Sequence, residues 1–170
     1  SDSIKAAISE LYQKTDSLYA LINNGAYGQA GALEDISREA LEKQFQVNVF
    51  GWHELTNLVL PSMKERNIGR VVYISSVLGF VAMPFRGPYV ASKFAIEGLV
   101  DTLRLELKQT KIKLSLVQPG PIESKFRQNA FLAFKENVDP SNSDYQREYK
   151  AMIERLNSDN NAQFTLAPES

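Results

Sequence analysis

The chain has 170 residues with 19 basic and 20 acidic side chains, a formal charge of −1 and 44% apolar residues. That balance fits one globular domain and argues against a phosphate-dominated nucleic-acid surface or an anionic-membrane surface. It has no cysteine and a single histidine, His53, which removes disulfides, thiol nucleophiles, iron–sulfur ligands and two-histidine metal motifs together. No metal is therefore expected, and the missing cysteines point to a reducing, cytoplasmic setting. The opening SDSIKAAISE shows no signal peptide. The longest apolar stretch, residues 71–85, is broken by Ser75, Ser76, Gly79 and Pro84 and falls short of a membrane span.

In chain order, Ile4, Ala7, Ile8, Leu11 and Tyr12 recur at helical spacing and predict an amphipathic helix over the first fifteen residues. The short apolar run 18–22 stops at Asn23-Asn24-Gly25-Ala26-Tyr27-Gly28, the pattern of a buried strand entering a loop. Ser37 is placed to cap the next helix, where Leu41, Phe45, Val49, Trp52, Leu55, Leu58, Val59 and Met63 repeat every three or four positions to about residue 65. Gly51 and Pro61 predict bends in it. Residues 70–76, RVVYISS, are β-branched and continuous, as in a parallel strand covered on both faces. Pro88 opens a helix with the stripe Ala91, Ala95, Leu99, Leu103 and Leu107, and residues 112–117 form a further strand stopped by Pro119-Gly120-Pro121. This alternation predicts an α/β domain whose three strands lie parallel in one sheet. Beyond Glu123 the chain turns polar, with a loop at Asp139-Pro140-Ser141-Asn142. Tyr145, Tyr149, Met152, Ile153 and Leu156 then mark a helix expected to be a mobile cover and not core.

Ligands of open α/β sheets sit beyond the carboxyl ends of the strands, here segments 23–28, 76–79 and 119–124. Tyr89 and Lys93 lie four apart at a helix start and project from one face. An ammonium beside the phenol favours the phenolate, so the Tyr89 pKa is expected to fall from its usual value of about 10 toward neutrality. Alone, the pair reads equally well as a half-buried tyrosine beside a solvated lysine. Ser76 changes that balance, because it stands thirteen residues before Tyr89 at the end of the central strand, on the same sheet edge.

Ser76, the Tyr89-x-x-x-Lys93 pair and Asn48 within VNVFG fall in order at fitting distances. Asn23-Asn24-Gly25-Ala26 is similar to an NNAG segment with its last two residues exchanged, and Pro119-Gly120-Pro121-Ile122-Glu123-Ser124 to a PGxI[ST] segment with one extra residue. Over residues 18–124 the sequence resembles the short-chain dehydrogenases and reductases. The resemblance implies a partial Rossmann-like, doubly wound parallel sheet with helices on both faces. It also implies hydride transfer between NAD(P), NADP slightly preferred, and a carbonyl or alcohol.

In that reading Tyr89 moves the hydroxyl proton, Ser76 hydrogen-bonds the substrate oxygen, Lys93 binds the nicotinamide ribose and tunes Tyr89, and Asn48 holds a water leading from Lys93 to solvent. Asn24, Gly25, Ala26, Tyr89, Lys93, Pro119, Gly120 and Ile122 would contact the cofactor, with Ser124 touching its amide or phosphate. The look of residues 75–108 is similar to the steroid-, retinol- and aldehyde-reducing branch, implying a small apolar carbonyl or alcohol substrate. A homodimer or homotetramer through helices 41–63 and 89–107 is also implied. Phe126, Phe131, Phe134, Tyr145 and Tyr149 either line a greasy pocket under a lid or simply pack on the domain. A His53–Ser76 hydrolase is disfavoured because no GxSxG elbow exists.

No glycine precedes Gly25, so the glycine-rich turn that holds a dinucleotide pyrophosphate is not among these residues. The expectation is therefore an excerpt of an enzyme of roughly 250–300 residues. Its parts would be a dehydrogenase core at 1–125 without its first strands and glycine-rich turn, a substrate lid at 126–163, and the approach to a missing last strand at 164–170. The alternative is a non-catalytic cofactor-sensing or scaffold protein on the same fold, which the intact set Asn48, Ser76, Tyr89 and Lys93 disfavours.

Overall fold

The computed structural model describes residues 1–157 and 166–167. Three short segments form β1 (Ala20–Asn23), β2 (Gly69–Ile74) and β3 (Ile112–Val117), all parallel and in the order β1-β2-β3. Register pairs Leu21 with Val71 and Val71 with Leu114, so these three side chains share one face with Asn23, Tyr73 and Leu116, two positions on.

Helices α1 (Asp2–Lys14), α2 (Arg38–Phe45), α3 (Gly51–Glu65) and α4 (Gly87–Glu106) accompany the sheet. Val71 and Tyr73 are buried in a core with Trp52, Val59 and Met63 of α3 and Ile96 and Val100 of α4. The Ser37 hydroxyl accepts from the Ala40 amide at 3.2 Å, the cap read from sequence. The single long helix expected over 41–65 is instead α2 and α3 joined by one widened π-turn at Gln46–Phe50, and Pro61 lies inside α3. α1 buries none of its residues and reaches the core only through half-buried Ile8.

The parallel sheet flanked by helices is the Rossmann-type arrangement expected, but the cover of β2 alternates. Val71 and Tyr73 are buried against α3 and α4, whereas Val72 and Ile74, on the opposite face, are half-buried. Beside them Ile22 is 63% and Val117 44% exposed. Continuous hydrophobicity in β2 therefore does not translate into equal cover on its two faces.

The C-terminal helices α5 (Phe126–Asn137) and α6 (Gln146–Asn157) build a second cluster in which Phe134 and Tyr149 are fully buried with Ala30, Ala32 and Val138. The Tyr149 hydroxyl donates to the Asp35 carboxylate and accepts from the Ala32 amide at 2.8 Å, and Ser143 donates to the same carboxylate at 2.6 Å. Burial, then the bond to Asp35, pushes the Tyr149 phenol up to about 12, so this fastening stays protonated at neutral pH. The α6 face expected to be a mobile cover thus carries a core residue. Asp139 caps a short turn at Pro140–Asn142 where a loop is expected. Leu166 pairs with Ile122 in an isolated parallel bridge. Phe164, Thr165 and the Leu156 side chain lie outside the described residues. Among the described residues no helix is long and apolar enough to cross a membrane.

Candidate active site

The loops after β1, β2 and β3 meet the starts of α4 and α5 around a cavity of about 540 Å³. Of the residues singled out by sequence, Asn24, Ala26, Ser76, Tyr89, Lys93, Pro119, Gly120, Ile122 and Ser124 line it. Asn48 and Gly25 do not line it: Asn48 serves the loop from behind, and Gly25 is a loop residue held there by its carbonyl.

That service is a ladder along one face of the α2–α3 rod. Gln44, Asn48, Trp52 and Thr56 follow at four-residue spacing, and the segment after β1 runs past them in the opposite direction. Thr56 accepts from the Asn23 side-chain Nδ2 at 3.3 Å, and Trp52 Nε1 donates to the Gly25 carbonyl at 2.8 Å. Asn48 accepts from the Tyr27 N–H at 3.2 Å and donates to the Tyr27 carbonyl at 3.0 Å, while Gln44 accepts from the Gln29 N–H at 2.7 Å. A loop that must offer its backbone to a ligand cannot pair it in a sheet, so side chains of the rod satisfy it instead. The π-turn sits at Asn48 itself.

Asn48 also donates to Ser92 at 3.2 Å, and Ser92 donates to the Tyr89 carbonyl at 2.7 Å, which joins the ladder to α4. Asn48→Leu, which removes a fully buried side chain that pairs both the Tyr27 N–H and its carbonyl, is expected to lower unfolding free energy by about 2–4 kcal/mol in a denaturant titration. A loss below about 0.5 kcal/mol would show that the ladder carries no stability.

Tyr89 is buried at the first turn of α4, with its ring edge-on to Phe126 at 5.2 Å. Gly28 makes that approach possible, since a Cβ there would stand 2.7 Å from Phe126 Cζ. Burial pushes the Tyr89 phenol above its ordinary value, opposed by a hydrogen bond to the Ser76 side chain and by the nearby Arg86 charge. The lowering expected from Lys93 is absent, and the geometry says why. Lys93 Nζ donates to the Ile74 carbonyl at 2.7 Å and lies 4.5 Å from the centre of the Trp52 ring and 5.5 Å from that of Tyr89. The lysine is only 1% exposed, and burial, against the pull of Glu97, lowers its pKa from the ordinary 10.5 to about 8.

Ser76 ends the strand segment in extended backbone and accepts from the Leu78 amide at 3.1 Å, leaving its hydroxyl at the cavity wall. The Ser124 hydroxyl accepts from the Phe126 amide at 3.3 Å at the entry to α5. Of the five aromatic residues offered as pocket lining, Phe126 alone lines this cavity. Phe134 and Tyr149, with Phe131 and Tyr145 against them, fill the second cluster. His53 is exposed and pairs with Asn57 at 2.9 Å. Sequence reading missed Arg86, which lines the cavity three residues before Tyr89, and Trp52 as the floor beneath Lys93. Nothing in the local pattern marks Arg86, because a cation in a loop is by default a solvated one.

Residues 1–133 match the family model of the short chain dehydrogenases, and the chain belongs to that family. Among curated relatives it is 41% identical over 170 residues to the uncharacterized oxidoreductase YbbO of Escherichia coli (strain K12), covering 99% of this chain and 57% of that protein. It is 40% identical over 125 residues to human retinol dehydrogenase 8, covering 74% of this chain and 39% of that one. A short-chain dehydrogenase structure from Streptomyces avermitilis superposes with a TM-score of 0.69 at 26% identity, over 96% of this chain and 65% of that one. The chain thus spans about half the length of the curated relatives it matches.

Proposed function

We propose that this chain is the catalytic portion of an NAD(P)-dependent oxidoreductase that interconverts a carbonyl and an alcohol, with Tyr89 as general acid and base. The observation that carries the reading is the convergence of Ser76, Tyr89 and Lys93 on one cavity. The residues present fit the nicotinamide end of a dinucleotide. The cavity is floored by the small residues Ala26 and Gly120, and a Cβ at Gly120 would meet nothing within 4 Å, which leaves room for a flat ring. When bound, the nicotinamide supplies or accepts the hydride. Lys93 would hold the ribose, and the family resemblance favours NADP slightly.

The protein's own groups do the proton work. Ser76 and Tyr89 donate to the substrate oxygen as negative charge builds on it, and the Tyr89 proton passes to that oxygen. Both Asn48 amide hydrogens are already taken by Tyr27 and Ser92, so its remaining Oδ1 lone pair is what it offers a water on the path from Lys93. The test is NAD(P)H consumption with apolar aldehydes and ketones and equal formation of alcohol. A folded protein that binds the cofactor and consumes none with any of them would refute the reading.

A dimer or tetramer through α3 and α4 belongs to the same proposal. Phe94 is 46% and Leu105 75% exposed on α4, and Phe50, just before α3, is half exposed. Phe94→Glu is expected to turn the assembly into monomers in light scattering after size exclusion, and an unchanged mass would remove α4 from the interface.

A further inference from the structure

The cavity has a charge that the chain as a whole does not. The protein nets to −1, yet the side chains lining the cavity include Arg86, Lys93, Lys125, Arg127 and Arg155 and, among the described residues, no Asp or Glu. The rest of the lining is largely apolar, with Ile74, Val77, Leu78, Met83 and Phe126 among it.

Arg86 is the clearest member. Its Nη1 is buried without a hydrogen-bond partner, and burial first, then the like charges of Arg155 and Arg127, hold its pKa below its ordinary value. A guanidinium nitrogen buried without a partner is costly unless an anion meets it. Its position is also enforced by strain. Phe85, the residue before it, has φ +61°, a left-handed backbone rare for a bulky side chain, and is held there by Tyr145 at 5.5 Å and Tyr149 at 5.8 Å between ring centres. Across the turn, the Phe85 carbonyl accepts from the Gly31 amide at 3.0 Å. The second hydrophobic cluster therefore aims Arg86 at the cavity, three residues ahead of the proton-carrying Tyr89.

From this we infer that the substrate is an oxo-acid, a carbonyl compound with an apolar body and a carboxylate that pairs with Arg86. The inference rests on the oxidoreductase reading above and narrows its substrate class. A carboxylate matches the planar fork of a guanidinium in a way that a neutral aldehyde tail cannot. The same guanidinium suits one other anion, a phosphate of the dinucleotide, and the test separates the two sources.

The complete protein is assayed with 9-oxononanoate, its methyl ester and nonanal, and nonanoate and nonanol are titrated without turnover by thermal shift. The expected result is a kcat/KM preference of about 10- to 100-fold for 9-oxononanoate over its ester, the size of one charge-assisted hydrogen bond. Nonanoate alone of the two binding probes should shift the melting temperature. Arg86→Gln should collapse both preferences and Arg86→Lys should restore part of them, while the NADPH dissociation constant stays within about threefold. Equal turnover of acid, ester and aldehyde would overturn the inference and leave the oxidoreductase reading standing. So would an Arg86→Gln effect confined to NADPH affinity. No turnover of any carbonyl, together with Arg86-dependent binding of nonanoate, would defeat the oxidoreductase reading and keep the anion site.

Discussion

Tyr89→Phe should lower the rate of carbonyl reduction by about 10²- to 10⁴-fold, the range that positioned proton transfer contributes. The substitution removes one hydroxyl and nothing else of consequence. The ring keeps its edge-on packing against Phe126, and Lys93, whose ammonium is bonded to the Ile74 carbonyl and not to the phenol, keeps its place. Cofactor affinity should therefore be nearly unchanged while turnover collapses, a separation that fluorescence titration and steady-state kinetics read independently. A Phe variant as fast as the parent would remove Tyr89 from the chemistry. The pH dependence has a definite sign. Burial raises the Tyr89 pKa, so the phenol keeps its proton across neutral pH. Reduction, which consumes that proton, should be flat there, whereas alcohol oxidation, which needs the phenolate, should rise as pH climbs into the alkaline range.

Lys93→Met should lower turnover by at least about 10²-fold and at the same time change how stability depends on pH. Lys93 is buried with a pKa lowered from 10.5 to about 8. Between those pH values the unfolded chain holds a proton that the folded protein lacks, so stability contributed by this site rises with pH across the window and is lowest below pH 8. At about 1.4 kcal/mol per pH unit the full change is on the order of 3 kcal/mol. Met carries no such cost, although it forfeits the bond to the Ile74 carbonyl. Chemical denaturation of both proteins at several pH values should show the parent gaining on the variant as pH rises from 8 toward 10.5. A difference independent of pH would mean that Lys93 is not desolvated. On the proposed function Lys93 is a group kept for chemistry at a cost in stability.

Much of the fold is written in local pattern. Ser37 caps and Pro88 opens α4, because each is decided by neighbours a few residues away. The same holds for Ser76, Tyr89 and Lys93, since a strand end and a helix start on one sheet edge bring them to one cavity. What depends on contacts across the chain was not legible. Lys93 turns to the Ile74 carbonyl rather than to the Tyr89 hydroxyl because a buried ammonium takes the carbonyl that β2 leaves available at its end. The Gln44, Asn48, Trp52 and Thr56 ladder is periodic in sequence, but its partner is a loop backbone that has no signature of its own. Tyr149 reads as the apolar stripe of an outer helix until Asp35, 114 residues earlier, supplies its partner. Arg86 reads as solvated until Phe85 is seen to turn it inward.

The most direct test of the central claim follows the hydride itself. NADPH carrying deuterium at the transferable C4 position is mixed with an aldehyde and the complete protein, and the alcohol is analysed by mass spectrometry. The account predicts a single deuterium on the carbinol carbon, formed in step with NADPH loss and abolished by Tyr89→Phe. Alcohol formed without deuterium from either C4 face, or no alcohol from a folded protein that binds NADPH, would contradict it.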